Sequence, residues 1–198
     1  MFPRISPLHP TRRAATTTTR LALAAALAAS VLPAALPAAA QAATGSSRAT
    51  RVPRHAAAVD RIERTEVRLI NRLRRAHHLR PLKIDGTLTR TAGWMALDMG
   101  HARRFSHTDS LGRDPFIRLR AFGYPSRDTW RGENLAAGNA RPGPTRLQWI
   151  NSPPHLRNML DPHYGAIGIA RVRVAGSPYR WYWATTFGSR WTRPAPST

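Results

Sequence analysis

The sequence predicts an α+β domain in which an antiparallel strand pair lies between helical layers. Three observations carry this expectation. Apolar residues recur at helical spacing through the middle of the chain; two runs rich in β-branched and aromatic residues, "AIGIARVRV" and "YRWYWATTF", are joined near its end by "AGSP"; and the second run is apolar on both faces, so both need cover. The 198 residues suffice for one ordinary domain and a tail.

From Val59 onward, Ile62, Leu69 and Leu73 keep spacings of three, seven and four, which places them on one face of a helix ending near "HHLRP". Pro81 forbids its continuation, and His77 and His78 suit its negative dipole terminus. Asp85 then stands as N-cap of a second helix with the stripe Leu88, Ala92, Met95, Ala96 and Met99. "DSLGRDP" is turn chemistry, and Phe116, Leu119 and Phe122 suggest a short third helix ending at Gly123. "ENLAA" reads as an extended segment and "RPGPT" as a turn, followed by helical pieces over Thr145 to Ile150 and Ser152 to Leu160. In the last strand Tyr179, Trp181, Trp183 and Phe187 share one face while Tyr182 and Ala184 take the other.

The beginning of the chain reads as an address. Arg4, Arg12, Arg13 and Arg20 precede the apolar run Leu21 to Leu36, and Ala40-Gln41-Ala42 fits a cleavage site, the three-part layout of a secretory signal. The run has 16 residues and contains Pro33, which is short of the roughly 20 a spanning helix needs. The expected organisation is a signal peptide over 1–42, a flexible leader over 43–58, the domain over 59–190 and a tail over 191–198. Cleavage leaves a secreted, extracellular chain without a transmembrane anchor, expected to be a monomer.

Composition narrows the chemistry. With no cysteine, the fold uses no disulfide, thiolate metal site or cysteine nucleophile. Arginine and lysine number 31 against 10 acids, and removing the four arginines of the signal takes the formal charge from +21 to +17. Lys83 is the one lysine. Such a surface attracts polyanions in general and identifies none, so no specific nucleic-acid partner is expected. Trp181 and Trp183 alternate as core residues do, and Trp94, Trp149 and Trp191 read as packing residues.

Three segments concentrate ionisable residues beside turn signals: "FSHTDS" with His107 and Asp109, "RGENLAAG" with Glu133 and Asn134, and "NSPPHLRNML" with Ser152 and His155. Ser152 suits an N-cap and Pro153 a first helical position, which puts His155 at the third, where the helix dipole favours a neutral ring able to act as base or ligand. Taken alone, His155 and His107 are equally readable as surface histidines, and Glu133 as the partner of a neighbouring arginine such as Arg131.

Together, "LINRLRRAHHLRPLKIDGTLTRTAGWMALDM", "FSHTDSLGRDPFIRLRAFGY", "GENLAAG" and "WINSPPHLRNMLDPHYGAIGIA" resemble, in that order, the bacterial branch of the CAP superfamily, the secreted SCP-like domains of cysteine-rich secretory proteins, antigen 5 and pathogenesis-related 1 proteins. The resemblance runs from about Glu66 to Phe187. It implies an α-β-α sandwich with a central antiparallel sheet and a cleft lined by two histidines and two acids. His107, Glu133 and His155 match three of these positions. Ser152 stands where other members carry the second acid, Asp109 is a substitute for it, and Asn134 holds the adjoining backbone.

Two imidazoles and one carboxylate form a ligand set for a divalent metal such as zinc with one position open. The rival is a hydrogen-bonded cleft without metal in which Glu133 orients a histidine. The leading expectation of function is an extracellular binding module for a lipid, glycan or peptide. The alternative is a metal-assisted hydrolase using the same cleft, and against it Ser106, Ser110 and Ser152 sit in no G-x-S-x-G context.

Overall fold

Acidic caps set the starts of three helices. In the computed structural model, which describes residues 51–198, a short helix α1 (Arg54–Ala57) is followed by α2 (Arg61–Ala76). Asp60 and Glu63 close a capping box on α2: the Glu63 N–H donates to Asp60 Oδ1 and the Asp60 N–H to Glu63 Oε2, each at 2.7 Å. After the two-residue strand β1 (Lys83–Ile84), Asp85 caps α3 (Gly86–His101) by accepting from the Thr87 and Leu88 N–H groups at 2.9 Å. Asp114 caps α4 (Pro115–Ala121) in the same way through Ile117.

Strand β2 (Arg131–Ala137), helices α5 (Pro142–Ile150) and α6 (Pro153–Leu160), and the hairpin β3 (Ala166–Arg173) and β4 (Trp181–Gly188) complete the domain. The sheet order is β1-β3-β4-β2, with β3, β4 and β2 antiparallel and β1 a short parallel addition beside β3. One face, carrying Leu135, Ala170, Tyr182 and Ala184, packs on Ala92, Met95, Ala96 and Met99 of α3. The other, carrying Ala136, Ile167, Ile169, Trp183 and Phe187, packs on Val67 and Ile70 of α2, Trp149 of α5 and Met159 of α6. The predicted cover on both faces is therefore present, as an α-β-α sandwich.

Sequence pattern and structure part company where charge is buried. The inner face of α2 consists of Glu63, Glu66, Val67, Ile70 and Arg74, while Ile62 and Leu73 pack only at its margin. Arg74 is fully buried because its guanidinium donates to four carbonyls, those of Arg80, Met159, Asp161 and Tyr164, at 2.8–3.1 Å. In α4 the residue turned inward beside Leu119 is Arg118, and Phe116 is exposed. Tyr179 lies before β4 and packs against Phe105.

Both expected termini of the domain move outward. The signal peptide and the start of the leader lie outside the described residues, but from Arg51 the leader is part of the fold, with Ala56 and Ala58 buried. The expected tail is fastened too: Ser197 bridges Val59, the Thr192 hydroxyl donates to Asp85 Oδ2 at 2.8 Å, and the Trp191 indole donates to the Ile84 carbonyl. "RPGPT" begins α5 instead of forming a turn, because Pro142 fits the first helical turn, where its missing N–H costs nothing.

Glu66 is wholly buried between layers, and neither carboxyl oxygen has a partner among the described residues. Burial pushes its pKa up to about 8, opposed weakly by the charge of Arg146. The folded state thus keeps a proton that the unfolded chain loses near pH 4.5, so this contribution to stability is complete below that pH and lost as pH rises towards about 8. Glu66→Gln, compared with the parent by urea denaturation, is expected to change little at pH 4.5 and to be more stable by on the order of 3 kcal/mol at pH 8.5. A shallower slope from Glu63, raised to about 7, remains in the variant.

Candidate functional site

The site gathers at the outer strand β2. Alternation along a strand sends neighbours to opposite faces, so Glu133 points to the α4 side while Asn134 points to α6. Glu133 is nearly buried, and both its oxygens are engaged. One accepts from Arg118 Nη2, and the other lies 2.9 Å from His107 Nδ1. Asn134 Nδ2 donates to the His155 carbonyl at 2.9 Å, and its Oδ1 accepts from Asn158, which also donates to the Glu133 carbonyl. Consecutive residues of one strand therefore hold the two histidine-bearing segments.

Arg118 is the centre of the buried polar network. Besides Glu133, it donates to the His107 carbonyl at 3.1 Å and lies 3.8 Å from Asp109. Asp109 is also buried, ties Arg113 Nε at 2.8 Å and the Trp94 indole at 3.1 Å, and accepts from the Leu111 and Arg113 N–H groups. The expectation that Asp109 supplies a second cleft acid is corrected here: every one of these bonds folds the 105–113 loop, and its side chain is closed to solvent. Two arginines and an indole satisfy its charge, which leaves it a structural role.

His107 and His155 differ in environment. The His107 side chain is 52% exposed, with Glu133 behind its Nδ1, so its Nε2 is the free position. His155 is the third residue of α6, and its Nδ1 is shielded and without a partner among the described residues. Burial, and then the nearby charge of His107, lower its pKa below the ordinary histidine value and favour the neutral ring. Ser152 occupies the N-cap position of α6 but makes no side-chain cap bond, which corrects that expectation, and the residue lines the cleft.

That cleft has a volume of about 300 Å³ and is lined by Phe105, Leu135, Ala137, Gln148, Ser152, His155 and Tyr179. Phe105 and Tyr179 meet edge to face at 6.1 Å and stay about half exposed, forming an aromatic lip. The outward carbonyls of β2 are already capped, Leu135 by the Trp149 indole at 2.9 Å and Ala137 by Gln148 at 3.2 Å. A larger groove of about 560 Å³ follows α6 past Trp130 and His163, but none of His107, Glu133 or His155 reaches it. Of these three, His155 alone lines the smaller cleft.

The geometry bears on the expected ligand set. Glu133 has one oxygen committed to a buried guanidinium and the other to His107, so it does not fit as a direct metal ligand while both contacts stand. Among the described residues no three His, Asp or Glu side chains are placed to hold a metal ion.

The sequence model of the Cysteine-rich secretory protein family, CAP, matches residues 67–187. The chain belongs to this family. The YkwD protein of Bacillus subtilis is 33% identical over 116 residues, 59% of this chain and 44% of that protein, so the matched stretch spans less than half of the relative. An outer surface protein of Borrelia burgdorferi superposes with a TM-score of 0.57 at 27% identity, over 64% of this chain and 91% of that one. An SCP-domain extracellular protein of Bacillus anthracis does so with 0.54 at 25%, over 63% of this chain and 39% of that one. This CAP domain, unlike the family's name, has no cysteine, and packing and buried polar bonds hold it.

Arg118, Asn158, Phe105 and Tyr179 were not among the sequence candidates. Arg118 had a signal: it sits four residues before Phe122, on the inward face of α4. The others become neighbours of the site only through the fold. Arg118→Met is expected to destabilise the domain by about 3–5 kcal/mol, because it strands the buried Glu133 carboxylate, and adding Glu133→Gln should recover part of that loss in a denaturation cycle. The His155 ring, followed by NMR, should titrate below the ordinary value of 6.5. In His107→Ala it should move upward yet stay depressed, since burial is the larger cause.

Proposed function

We propose that this CAP domain is exported and acts outside the cell as a binding module. Its cleft takes a small lipid, glycan or peptide ligand with an apolar body and one hydrogen-bonding group, without turnover. The observation that carries the reading is the cleft itself, an apolar hollow with an aromatic lip whose lining includes Ser152 and His155. Gln148, Ser152 and the neutral ring of His155 are the polar side chains of that lining. Phe105 and Tyr179 offer apolar area to the rest of the molecule.

Export is supported by the signal-like segment at 1–42 and by relatives described as an outer surface protein and an extracellular protein. No helix among the described residues is long and apolar enough to cross a membrane.

A metal-assisted hydrolase is the second reading, favoured by two imidazoles close enough for one to lower the other's pKa. It is the weaker of the two because Glu133, the carboxylate available to activate water, is held by Arg118 and His107. Calorimetric titration of the protein with zinc, beside a His107→Ala/His155→Ala variant, separates the readings. The binding module predicts no stoichiometric zinc uptake in either. Tight one-to-one uptake lost in the variant would transfer the case to the hydrolase. On the ligand side, fatty acids, sterols, oligosaccharides and short peptides titrated against the labelled protein should include a class that shifts the His155 and Tyr179 resonances and fails with His155→Phe.

A further inference from the structure

The outward face of α2 carries Arg61, Arg64, Arg68, Arg72 and Arg75, at steps of three, four, four and three residues. With about 1.5 Å of rise per residue, the stripe is roughly 21 Å long. Four of the five are exposed and Arg64 is half-buried. None lies within ion-pair distance of a carboxylate among the described residues, where every such pair involves other cations. Their side-chain bonds go to hydroxyls, from Arg64 to Ser197 and from Arg68 to Thr65, each at 2.6 Å. Like charges one helical turn apart destabilise a helix by about 0.2–0.5 kcal/mol per pair, so the fold carries this stripe at a cost in stability.

We propose that the stripe is a docking surface for a linear polyol-phosphate polymer, an interaction independent of the cleft reading. Guanidinium groups bind phosphodiesters through paired N–H donors, and a single file of them along a straight helix suits a chain of repeating anions. Two features choose the kind of chain. Nucleic acid held at a single-stranded site is gripped by aromatic side chains under the bases, and α2 contains no Phe, Tyr or Trp. An amphipathic helix lies in an anionic bilayer by apolar side chains that enter it, whereas the apolar residues of α2 turn inward, with Val67 and Ile70 buried and Ile62 and Leu73 packed against the core, which leaves a bilayer only the attraction of its surface charge. What these features favour is recognition of phosphate alone, and a straight single file suits one linear chain better than the two winding backbones of a duplex.

The test compares three full-length proteins with the same residues 1–50: the parent; a stripe variant with Arg61, Arg64, Arg68, Arg72 and Arg75 changed to Gln; and a control with Arg120, Arg127, Arg157, Arg173 and Arg190 changed to Gln, exposed arginines elsewhere in the chain. Both variants have equal net charge. Poly(glycerol phosphate) is titrated against each at several salt concentrations. The stripe variant should bind at least tenfold more weakly than the control at low salt. The magnitude of its negative slope of log K against log salt should fall by about 3.5 relative to the parent, as expected for some five lost phosphate contacts at ~0.7 per contact. Thermal melts check folding, and the stripe variant should melt no lower than the parent. Equal weakening in both variants overturns the proposal, since net charge then suffices. An oligothymidylate of matched charge, or vesicles containing phosphatidylserine, that separates the two variants more strongly than the polymer does also overturns it.

Discussion

A fully buried guanidinium, that of Arg118, sets the terms for the site. An arginine cannot discard its charge, so every element around it must bring an acceptor. Glu133 comes from β2, Asp109 from the 105–113 loop, and the His107 and Arg113 carbonyls from the same loop. The network therefore positions α4, the loop and the strand together. His107 follows as a consequence: its backbone is held by Arg118 and its ring by the carboxylate that Arg118 neutralises. In a chain so rich in arginine, the role of the isolated Glu133 is first to answer a buried cation and then to orient an imidazole.

The second histidine is brought from the opposite layer by the geometry of the strand. Because β2 alternates, Glu133 and Asn134 reach to different sides of the sheet, and β2 is the last strand, so both layers close around it. The same side chains that position α5 and α6, Trp149, Gln148 and Asn158, cap the outward carbonyls of β2. An edge treated in this way resists pairing with another strand. On the inner side of the sandwich the helix-to-sheet spacing is just as constrained. Gly168 of β3 lies so close to α3 that a Cβ there would stand 2.0 Å from the Leu88 carbonyl carbon. The Thr186 hydroxyl on the neighbouring strand donates to the Leu88 carbonyl at 2.8 Å.

What the sequence disclosed depended on which force shaped the element. The stripe from Leu88 to Met99, Asp85 as cap, and the two-faced last strand were legible because apolar burial and capping are local, periodic signals. The face of α2 was not, because Glu63, Glu66 and Arg74 occupy positions that an apolar pattern assigns to solvent. Two of them are held inside largely by partners far along the chain: Glu63 accepts from the Arg171 N–H as well as from Asp60, and three of the four carbonyls that Arg74 meets belong to Met159, Asp161 and Tyr164. Glu66 has no such partner among the described residues, and the pattern gave no reason to expect it inside. Asp109 misled in the opposite direction, since a carboxylate next to His107 in sequence turned out to serve the loop. The trio His107, Glu133 and His155 came from resemblance, whereas Arg118, which explains how the trio is held, came from neither resemblance nor composition.

The electrostatics of this network also separate holding from reacting. A carboxylate that works as a general base must be free to take a proton, and a carboxylate that ligates a metal must have a lone pair directed at it. Glu133 spends one oxygen on a guanidinium buried beyond the reach of water and the other on His107 Nδ1. Freeing it requires uncovering Arg118, whose burial organises the loop and α4. The stability of the site and the availability of its acid are thus opposed. His155, in contrast, takes no side-chain part in the Arg118 network, and its neutral ring lines the cleft together with Ser152, Phe105 and Tyr179.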